Sequence, residues 1–413
     1  MRVRIIRAQW PVGQGCFSTG AIETAGGTIH YVYDCGARNV SNLEPIVAAY
    51  ARRVPQVDAL FVSHLDGDHV DGLDTLLARL DVRTVYLPYL STSQRLMALA
   101  EAEAEDRRLT ASLVQAQFEP AAWFGSRGVG RVVFVRNGND PDLFSERPPE
   151  RPDPEPRGEG RGPCLIEKGR TRPVTQGAAG QAEVLEMEVN AHIAVVLGGA
   201  PLNWILKPFV PRVSDDRVRQ FEKKILAALG VPPGTAIDLE ALKILLKTPD
   251  GRTKLRRCYE AILTDGSGKK HNAVSMSLYS GPETKTDAWK VRARMENHWG
   301  WEMITDTESP GWIGTGDAKL KSTQPRAKWR SFYRRELALT RTLLLPHHGS
   351  KANFHSDLLR APLRICIAAA DEREEGYRHP SPEVVEAIDE ADLRLVHVTK
   401  RLESRFRETI TKI

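Results

Sequence analysis

The chain has 413 residues, of which 41% are hydrophobic and 27% are charged, and its formal net charge is +5. These proportions are typical of globular proteins and exclude collagen-like, coiled-coil and wholly disordered classes. A surplus of this size is too small to indicate nucleic-acid binding by itself.

The five cysteines form no CxxC pair. Neither a disulfide framework nor a cysteine-based zinc site is therefore expected. No stretch approaches the roughly 18 consecutive apolar residues of a membrane span, and the first residues lack the apolar run of a signal peptide. We expect a cytoplasmic protein with no membrane partner.

The first 90 residues predict half of an α/β fold. Alternating apolar residues indicate strands, and a helical spacing of apolar residues indicates helices. The expected strands cover 3–6, 16–24, 28–33 and 57–62, and the expected helices cover 43–53 and 70–80.

Residues 91–265 are interpreted as an insertion or accessory module. Within it, residues 147–163 contain six prolines and no apolar side chain other than those prolines. Such a segment buries too little surface to offset its ordering entropy, so a disordered linker is expected at about 145–180. The other expected elements are helices over 93–117, 215–229, 237–247 and 252–263 and strands over 193–197 and 204–210.

Residues 266–413 return to an α/β pattern and predict the second half of the fold. Ser381 and Pro382 form a good helix start, as N-cap and first helical residue. Strands are expected over 273–279, 311–314, 342–345, 364–369 and 393–398.

Potential metal ligands follow several of these strands. The sharpest group is His64, Asp66, Asp68 and His69, which lie within six consecutive positions of a strand-to-helix loop. Imidazole and carboxylate groups both bind zinc and manganese. Ligands gather outside the carboxyl ends of strands in open α/β folds, so Asp317, His347 and His379 are expected to join this group.

At these residues the chain resembles a known family. His64-x-Asp66-x-Asp68-His69 looks like the HxHxDH signature of the metallo-β-lactamase fold, in an HxDxDH form. With Gly316-Asp317, His347-His348-Gly349-Ser350 and His379-Pro380-Ser381 in the same order, the chain resembles the hydrolase domain of ComEC-type DNA-uptake proteins. The resemblance covers about residues 1–90 and 265–400. It implies an α/β fold, the metallo-β-lactamase αββα sandwich, with a large, partly disordered insertion.

The resemblance also implies a cofactor of two divalent metal ions, zinc or manganese. In that arrangement His64, Asp66 and His347 bind one ion, Asp68 and His69 bind the other, and Asp317 bridges them. A metal-bound hydroxide would attack the substrate, and Asp68 would belong to the catalytic group.

The roles of the other motif residues stay open. His348 is a ligand, a general acid or a packed neighbour of His347, and His379 either joins the catalytic site or fixes the loop before the last helix. Asn272, Ser350 and Lys351 are candidate substrate contacts. For Lys351 the alternative is a solvated surface position.

Residues 319–335 carry seven lysines and arginines and no acidic residue. Basic groups neutralise phosphates and aromatic rings stack on bases, so the segment is a candidate single-stranded nucleic-acid groove. The alternative is a cationic helix face whose aromatic rings point into the core. The substrate-binding candidates here are Lys319, Lys321, Arg326, Lys328, Trp329 and Arg330.

These patterns predict a metal-dependent phosphodiesterase or nuclease that cleaves DNA, single-stranded DNA included, so DNA is the expected partner. The alternatives are a hydrolase of small molecules such as a lactone, thioester or cyclic nucleotide, and a binding module with a vestigial metal site. In the last case the insertion would bind a protein partner.

Overall fold

A computed structural model describes residues 3–104, 111–137, 162–175, 181–212, 215–232, 246, 248–263, 274–296, 301–371 and 378–413. In chain order, the strands of this described part are β1 (Arg4–Gln9), β2 (Phe17–Thr24), β3 (Gly27–Cys35), β4 (Gln56–Phe61), β5 (Asp81–Pro88), β6 (Arg131–Val135), β7 (Pro163–Lys168), β8 (Thr171–Thr175), β9 (Glu183–Met187), β10 (His192–Leu197), β11 (Ala200–Phe209), β12 (Ser277–Gly281), β13 (Trp289–Met295), β14 (Glu302–Thr307), β15 (Gly311–Gly314), β16 (Thr340–Leu344), β17 (Ile365–Ala369), β18 (Arg394–Val398) and β19 (Phe406–Lys412).

The described strands form two mixed sheets. The first sheet has the order β14-β13-β19-β1-β2-β3-β4-β5-β6-β9-β8, and the second has the order β18-β17-β16-β15-β12-β11-β10-β7. Neighbours from β3 to β6 run parallel in the first sheet. Neighbours from β15 to β18 run parallel in the second. Each parallel run therefore directs several strand ends to one edge of its sheet.

Some helices cover the outer faces of the two sheets, and others pack on one another. The described helices are α1 (Val40–Ala51), α2 (Gly67–Val70), α3 (Leu73–Leu77), α4 (Thr92–Ala104), α5 (Ala111–Phe118), α6 (Pro120–Gly125), α7 (Asp215–Ala228), α8 (Pro249–Leu263), α9 (Thr323–Phe332), α10 (Arg334–Leu337) and α11 (Pro382–Glu390). The helices α1, α3 and α6 share an apolar cluster with the first sheet. Side chains of α9 and α11 pack on the second sheet.

The alternation of strand side chains explains the layers. Tyr31 and Tyr33 belong to the cluster between the sheets, whereas Val32 belongs to the cluster under the helices. On the second sheet Leu344 faces the inter-sheet core and Leu343 faces the outer helices. Because successive side chains point to opposite faces of a strand, each sheet has two apolar faces to cover. The αββα sandwich expected from the sequence is confirmed.

Segments of the expected insertion form strands of both sheets. Residues 163–168 form β7 and residues 171–175 form β8, both within the expected linker. Strand β7 pairs with β10, and β8 pairs with β9. The strands β6, β8 and β9 extend the first sheet and β7, β10 and β11 extend the second, whereas the helices α4, α7 and α8 pack on one another. The rest of the expected linker, 145–161 and 176–180, lies outside the described residues.

Other elements differ from expectation in their bounds. The helix expected over 70–80 is broken at Gly72, where a Cβ atom would lie 2.3 Å from the Leu43 side chain. The helix expected over 93–117 is described as α4 and α5, with 105–110 outside the described residues. Most of the helix expected over 237–247 also lies outside them. None of the described helices has the length and apolar character required to cross a membrane.

A buried ion pair joins the first and last strands. Arg7 Nη2 lies 2.9 Å from Glu408 Oε2, and both side chains are at most 5% exposed. Arg7 also donates to the carbonyl oxygens of Ser280 and Pro310, and Thr342 Oγ1 donates to Glu408. Because β12 carries Ser280 and β16 carries Thr342, this network connects the two sheets.

We expect Arg7→Met to lower the free energy of unfolding by about 3–5 kcal/mol, because it leaves the Glu408 carboxylate buried without its cation. Urea denaturation measures this change. The matched control is Arg4→Met on the same strand, where Arg4 forms a solvent-exposed pair with Glu23. That substitution is expected to cost less than about 1 kcal/mol. Equal effects of the two substitutions would contradict the argument.

Candidate metal centre

The predicted ligands meet where parallel strands of both sheets end. His64 follows β4, and Asp68 and His69 lie in α2, which starts at Gly67 directly after Asp66. Asp317 follows β15, and the pair His347-His348 follows β16. Residues that are 250 positions or more apart in the sequence therefore share one cleft between the two sheets.

His64 and His69 face the same carboxylate. Their rings lie 4.1 Å apart, centroid to centroid. His64 Nε2 is 3.6 Å from Asp317 Oδ2 and 3.2 Å from Asp66 Oδ2. His69 Nε2 is 3.2 Å from Asp317 Oδ1. His64, His69 and Asp317 thus form one group with ligand atoms within 4.8 Å of one another.

A second group shares His69 with the first. His348 Nε2 lies 3.2 Å from Asp68 Oδ2, and these two residues group with His69. His348 Nδ1 lies 2.8 Å from the carbonyl oxygen of Ala369, and a proton on Nδ1 would bond to that oxygen. That tautomer leaves Nε2 with its lone pair directed at the site. The geometry therefore favours His348 as a ligand among the three roles left open by the sequence.

Asp34 orients His69, a role that the sequence analysis missed. The fully buried Asp34 carboxylate lies 2.8 Å from His69 Nδ1 and accepts hydrogen bonds from the Ser63 backbone N–H and hydroxyl. The Ser63 Oγ atom lies 2.9 Å from His64 Nδ1. A carboxylate on the outer nitrogen of a histidine fixes the ring and raises its basicity as a ligand. The available signal was the position of Asp34 at the end of β3.

Close backbone packing explains two glycines around the site. A Cβ atom on Gly36 would lie 2.4 Å from the backbone of His69. A Cβ atom on Gly15 would lie 2.9 Å from the Asp68 carbonyl oxygen. His347 and His348 both have left-handed backbone angles, with φ of 47° and 59°. Such conformations cost of order 1–3 kcal/mol each outside glycine and concentrate at functional sites.

The buried charges shift one another's pKa values. Burial alone lowers the pKa of His64, but the carboxylates of Asp66 and Asp317 outweigh it and raise the pKa to about 9. Burial also lowers the pKa of His69, but the carboxylates of Asp317 and Asp34 outweigh it and raise the pKa well above its usual value. Burial raises the pKa of Asp317, while the three nearby imidazoles, with His347 foremost, lower it well below its usual value. The positive charge of the neighbouring imidazoles thus favours the ionised form of the Asp317 carboxylate.

The donor set fits divalent metal ions. The Nε2 atoms of His64 and His69 are buried and form no hydrogen bond within the described part of the chain. Both atoms face Asp317, and nitrogen and carboxylate oxygen are the donors that zinc and manganese accept. Cys16 groups with Asp34 and His69. Burial, followed by the Asp34 charge, raises the pKa of its thiol, which disfavours the thiolate that binds metals.

The remaining motif residues surround this cluster. His347 Nδ1 lies 3.4 Å from Asp317 Oδ2, and the His379 ring lies 5.8 Å from the His347 ring. Burial, followed by His348 and His347, lowers the pKa of His379 to about 4. The Ser350 backbone N–H donates to the His347 carbonyl. Lys351 forms an exposed ion pair with Glu383, which fits the surface alternative, and Asn272 lies outside the described residues.

Two of the candidate substrate contacts in residues 319–335, Arg326 and Trp329, are buried. Trp329 is 1% exposed and donates to Ser277 Oγ, so its ring is not available to stack on a base. Arg326 is also buried, donates to two carbonyl groups and pairs with Asp357. The helix α9 is amphipathic, and its aromatic face packs into the core as in the alternative reading. Lys321 and Lys328 are exposed, and Lys319 and Arg330 are half-buried.

We expect Asp34→Asn to weaken metal binding by about 10–100-fold, because it removes the carboxylate that orients His69. Competition with a chromogenic chelator measures the affinity directly. Asparagine tolerates the left-handed conformation of position 34, where φ is 57°. Asp392→Asn, at another left-handed position far along the chain, is the control and should leave the affinity unchanged. Unaltered metal affinity of Asp34→Asn would contradict the assigned role.

Comparison with known protein families gives one match. Residues 18–104 match the model of the Metallo-beta-lactamase superfamily. A search of curated proteins found no match. Members of this superfamily are mostly metal-dependent hydrolases, so the match and the metal-ligand groups together support a metallo-hydrolase. The matched segment contains β2 to β5 and the loop from His64 to His69, and with the two-sheet architecture it identifies the fold as that of the metallo-β-lactamase superfamily.

Proposed function

We propose that the chain is a dinuclear metal-dependent phosphodiesterase that cleaves DNA. The observation that carries the proposal is a pair of adjacent ligand groups, because two ions held close together suit phosphoryl chemistry. His69 offers only its Nε2 atom to an ion, since its Nδ1 atom faces Asp34. One ion would be held by His64 and Asp66, and the other by Asp68, His69 and His348. Asp317 turns one carboxylate oxygen toward His64 and the other toward His69. Zinc and manganese both suit these donors.

When bound, the ions would supply Lewis acidity and lower the pKa of water. The residues around them have separate tasks in this proposal. Asp34 and Ser63 hold the imidazoles in place, and Ser275 fixes the Asp317 loop by accepting its backbone N–H at 2.8 Å. His379 is uncharged at neutral pH, since its pKa is lowered to about 4, so it would contact the substrate as a neutral hydrogen-bonding group.

Lysines that follow Asp317 in the chain support a polyanionic substrate. Lys319 and Lys321 follow Asp317 within four positions, and Lys328 lies on the solvent side of α9. On the opposite side of α9, the buried Trp329 anchors the helix to the core. This surface would contact phosphates without reading bases, since its aromatic rings are occupied in the core.

We expect the purified protein with Mn²⁺ to cleave labelled DNA, and Asp68→Ala to lose at least about 1,000-fold in rate, because it removes a ligand of one metal group. Gel analysis of single- and double-stranded substrates measures cleavage. Asp392→Asn serves as the control for folding and contamination. No cleavage by the unaltered protein, or equal cleavage by Asp68→Ala, would remove the nuclease proposal.

We expect the pair Lys321→Glu and Lys328→Glu to weaken DNA turnover and to reduce the slope of log(kcat/KM) against log(salt) by about 2, one unit for each lost phosphate contact. Hydrolysis of bis(p-nitrophenyl) phosphate should stay unchanged. The matched control reverses Lys223 and Lys224, which are exposed on α7. A salt slope that does not move, or moves equally in the control, contradicts a phosphate-binding role for α9.

A further inference from the structure

Part of the outer face of the first sheet lies outside the apolar cluster of its helices. The cluster that includes α1, α3 and α6 contains residues of β1 to β6 and β9, and among the described residues none of β13, β14 or β19. In β13, Val291 and Ala293 face the inter-sheet core, and the outward side chains of Lys290, Arg292 and Arg294 are exposed. We call this surface the open face; it consists of the outward-pointing side chains of residues 4–8, 290–294, 302–306 and 407–411.

At one end of the open face, each cation has a carboxylate neighbour. Arg4 on β1 pairs with Glu23 on β2. Lys290 on β13 lies directly opposite Asp306 on β14. Opposite charges across an antiparallel pair stabilise each other, so this end of the face carries no surplus of positive charge.

At the other end, two arginines face each other. The strand register places Arg294 of β13 directly opposite Arg407 of β19. Side chains in such positions have Cβ atoms about 4.5–5.5 Å apart, and like charges there are destabilising. The carboxylate on the other side of Arg294, Glu302, lies 3.2 Å from the Nε atom of Arg292 instead. The pair of Arg294 and Arg407 is therefore a point of electrostatic repulsion.

Arg405 and Arg53 add positive charge at this end. The Arg405 guanidinium lies 3.6 Å from the centre of the Trp10 ring and 3.2 Å from Glu296. Burial lowers the pKa of Arg405, Glu296 raises it, and the charges of Arg407 and Arg53 lower it. Arg53 and Arg407 thus lie close enough to Arg405 to repel it.

The carboxylates at this end are too few for its cations. Glu296 and Glu302 are each 3.2 Å from one arginine, Arg405 and Arg292 respectively. The cations at this end are Arg53, Arg292, Arg294, Arg405 and Arg407. Like charges that repel one another are stabilised by a nearby opposite charge, so a bound anion would relieve the repulsion.

The cationic end of the open face lies at the edge of the sheet that carries the metal-ligand loops. Arg407 lies opposite Ala8 of β1, and Ala8 lies opposite Thr19 of β2. The loop between these two strands reaches the metal centre, where the Cys16 backbone N–H donates to the Asp68 carbonyl at 3.0 Å. The surplus arginines are therefore on the outer side of the same edge.

The side chains of this end suit phosphate groups better than bases. The planar fork of a guanidinium matches the oxygen pairs of a phosphate. The nearby rings of Trp10 and Trp289 are buried, and Ala8 and Thr409 are small side chains beside the arginines. Such a surface contacts the backbone of a nucleic acid and reads no sequence.

We propose that the cationic end of the open face binds the sugar–phosphate backbone of DNA, with Arg294 and Arg407 as its central phosphate contacts. This inference rests on the proposed phosphodiesterase function, since the strand bound here would be the one that reaches the metal centre. The helix α9 lies against the second sheet and the open face belongs to the first. A polynucleotide crossing the edge between them would meet cations on both sides.

The test measures binding by metal-free, full-length protein, so it is independent of cleavage. Fluorescence anisotropy of a labelled oligothymidylate, over a series of salt concentrations, gives the affinity and its salt slope. We expect the double variant Arg294→Gln with Arg407→Gln to bind at least about 10-fold more weakly at low salt. Its slope of log K against log(salt) should fall by about 1.4, which is about 0.7 for each contact to a single strand.

The matched control is the double variant Arg219→Gln with Arg360→Gln. Both arginines are exposed and form ion pairs of their own, with Asp216 and Asp357. This variant should keep the affinity and the slope of the unaltered protein. Thermal unfolding checks the fold of both double variants.

A second variant, Arg53→Gln, keeps the proposal testable where the substitutions in the sheet disturb folding. Arg53 is exposed and follows the last residues of α1, outside the strands. We expect its substitution to reduce the salt slope by about 0.7, because it removes one phosphate contact.

An unchanged salt slope in both Arg53→Gln and the Arg294–Arg407 variant, an equal loss in the control, or no binding of DNA would overturn the proposal. Displacement of the DNA by poly-glutamate at the same concentration of charge would indicate an acidic protein partner and would also overturn it. The cleavage assay is a separate outcome. Arginine-dependent binding with no cleavage under Mn²⁺ would retain the DNA-binding face and remove the nuclease, whereas cleavage with unaltered binding in the variants would do the reverse.

Discussion

Charge balance in the cleft is the constraint on which the rest of the site depends. Carboxylates and imidazoles from four segments of the chain meet within a few ångströms of one another, largely out of water; they are Asp34, Asp66, Asp68, Asp317, His64, His69, His347 and His348. Buried carboxylates in this number are costly unless positive charge lies among them. Either protons on the imidazoles or divalent ions can supply that charge. Metal binding therefore displaces protons, and the site couples metal affinity to pH and to folding.

The backbone around the cluster is arranged to hold this charge in place. Asp34 and the pair His347-His348 adopt left-handed conformations, and Gly36 and Gly316 stand where a side chain would collide with neighbouring residues. Each feature costs conformational free energy that the packed sandwich must offset. The two sheets provide that support, because parallel strands deliver the loops to one edge from both sides.

The sequence predicts which loops carry the residues of the site, but it does not predict which of their side chains contact one another. The loop from His64 to His69 and the positions of Asp317 and His348 are evident because each follows an apolar strand. That His348 pairs with Asp68, rather than sitting behind His347, depends on two left-handed residues that no periodicity indicates. The role of Asp34 likewise depends on parallel pairing of β3 with β4, a long-range contact.

Amphipathic strands and helices explain the other differences. In β13 the side chains of Trp289, Val291 and Ala293 point into the core, and the basic residues between them point outward. The same separation of faces occurs in α9, where Trp329 is buried and Lys328 is exposed. Composition counts both faces together, whereas the periodicity of two or 3.6 residues separates them.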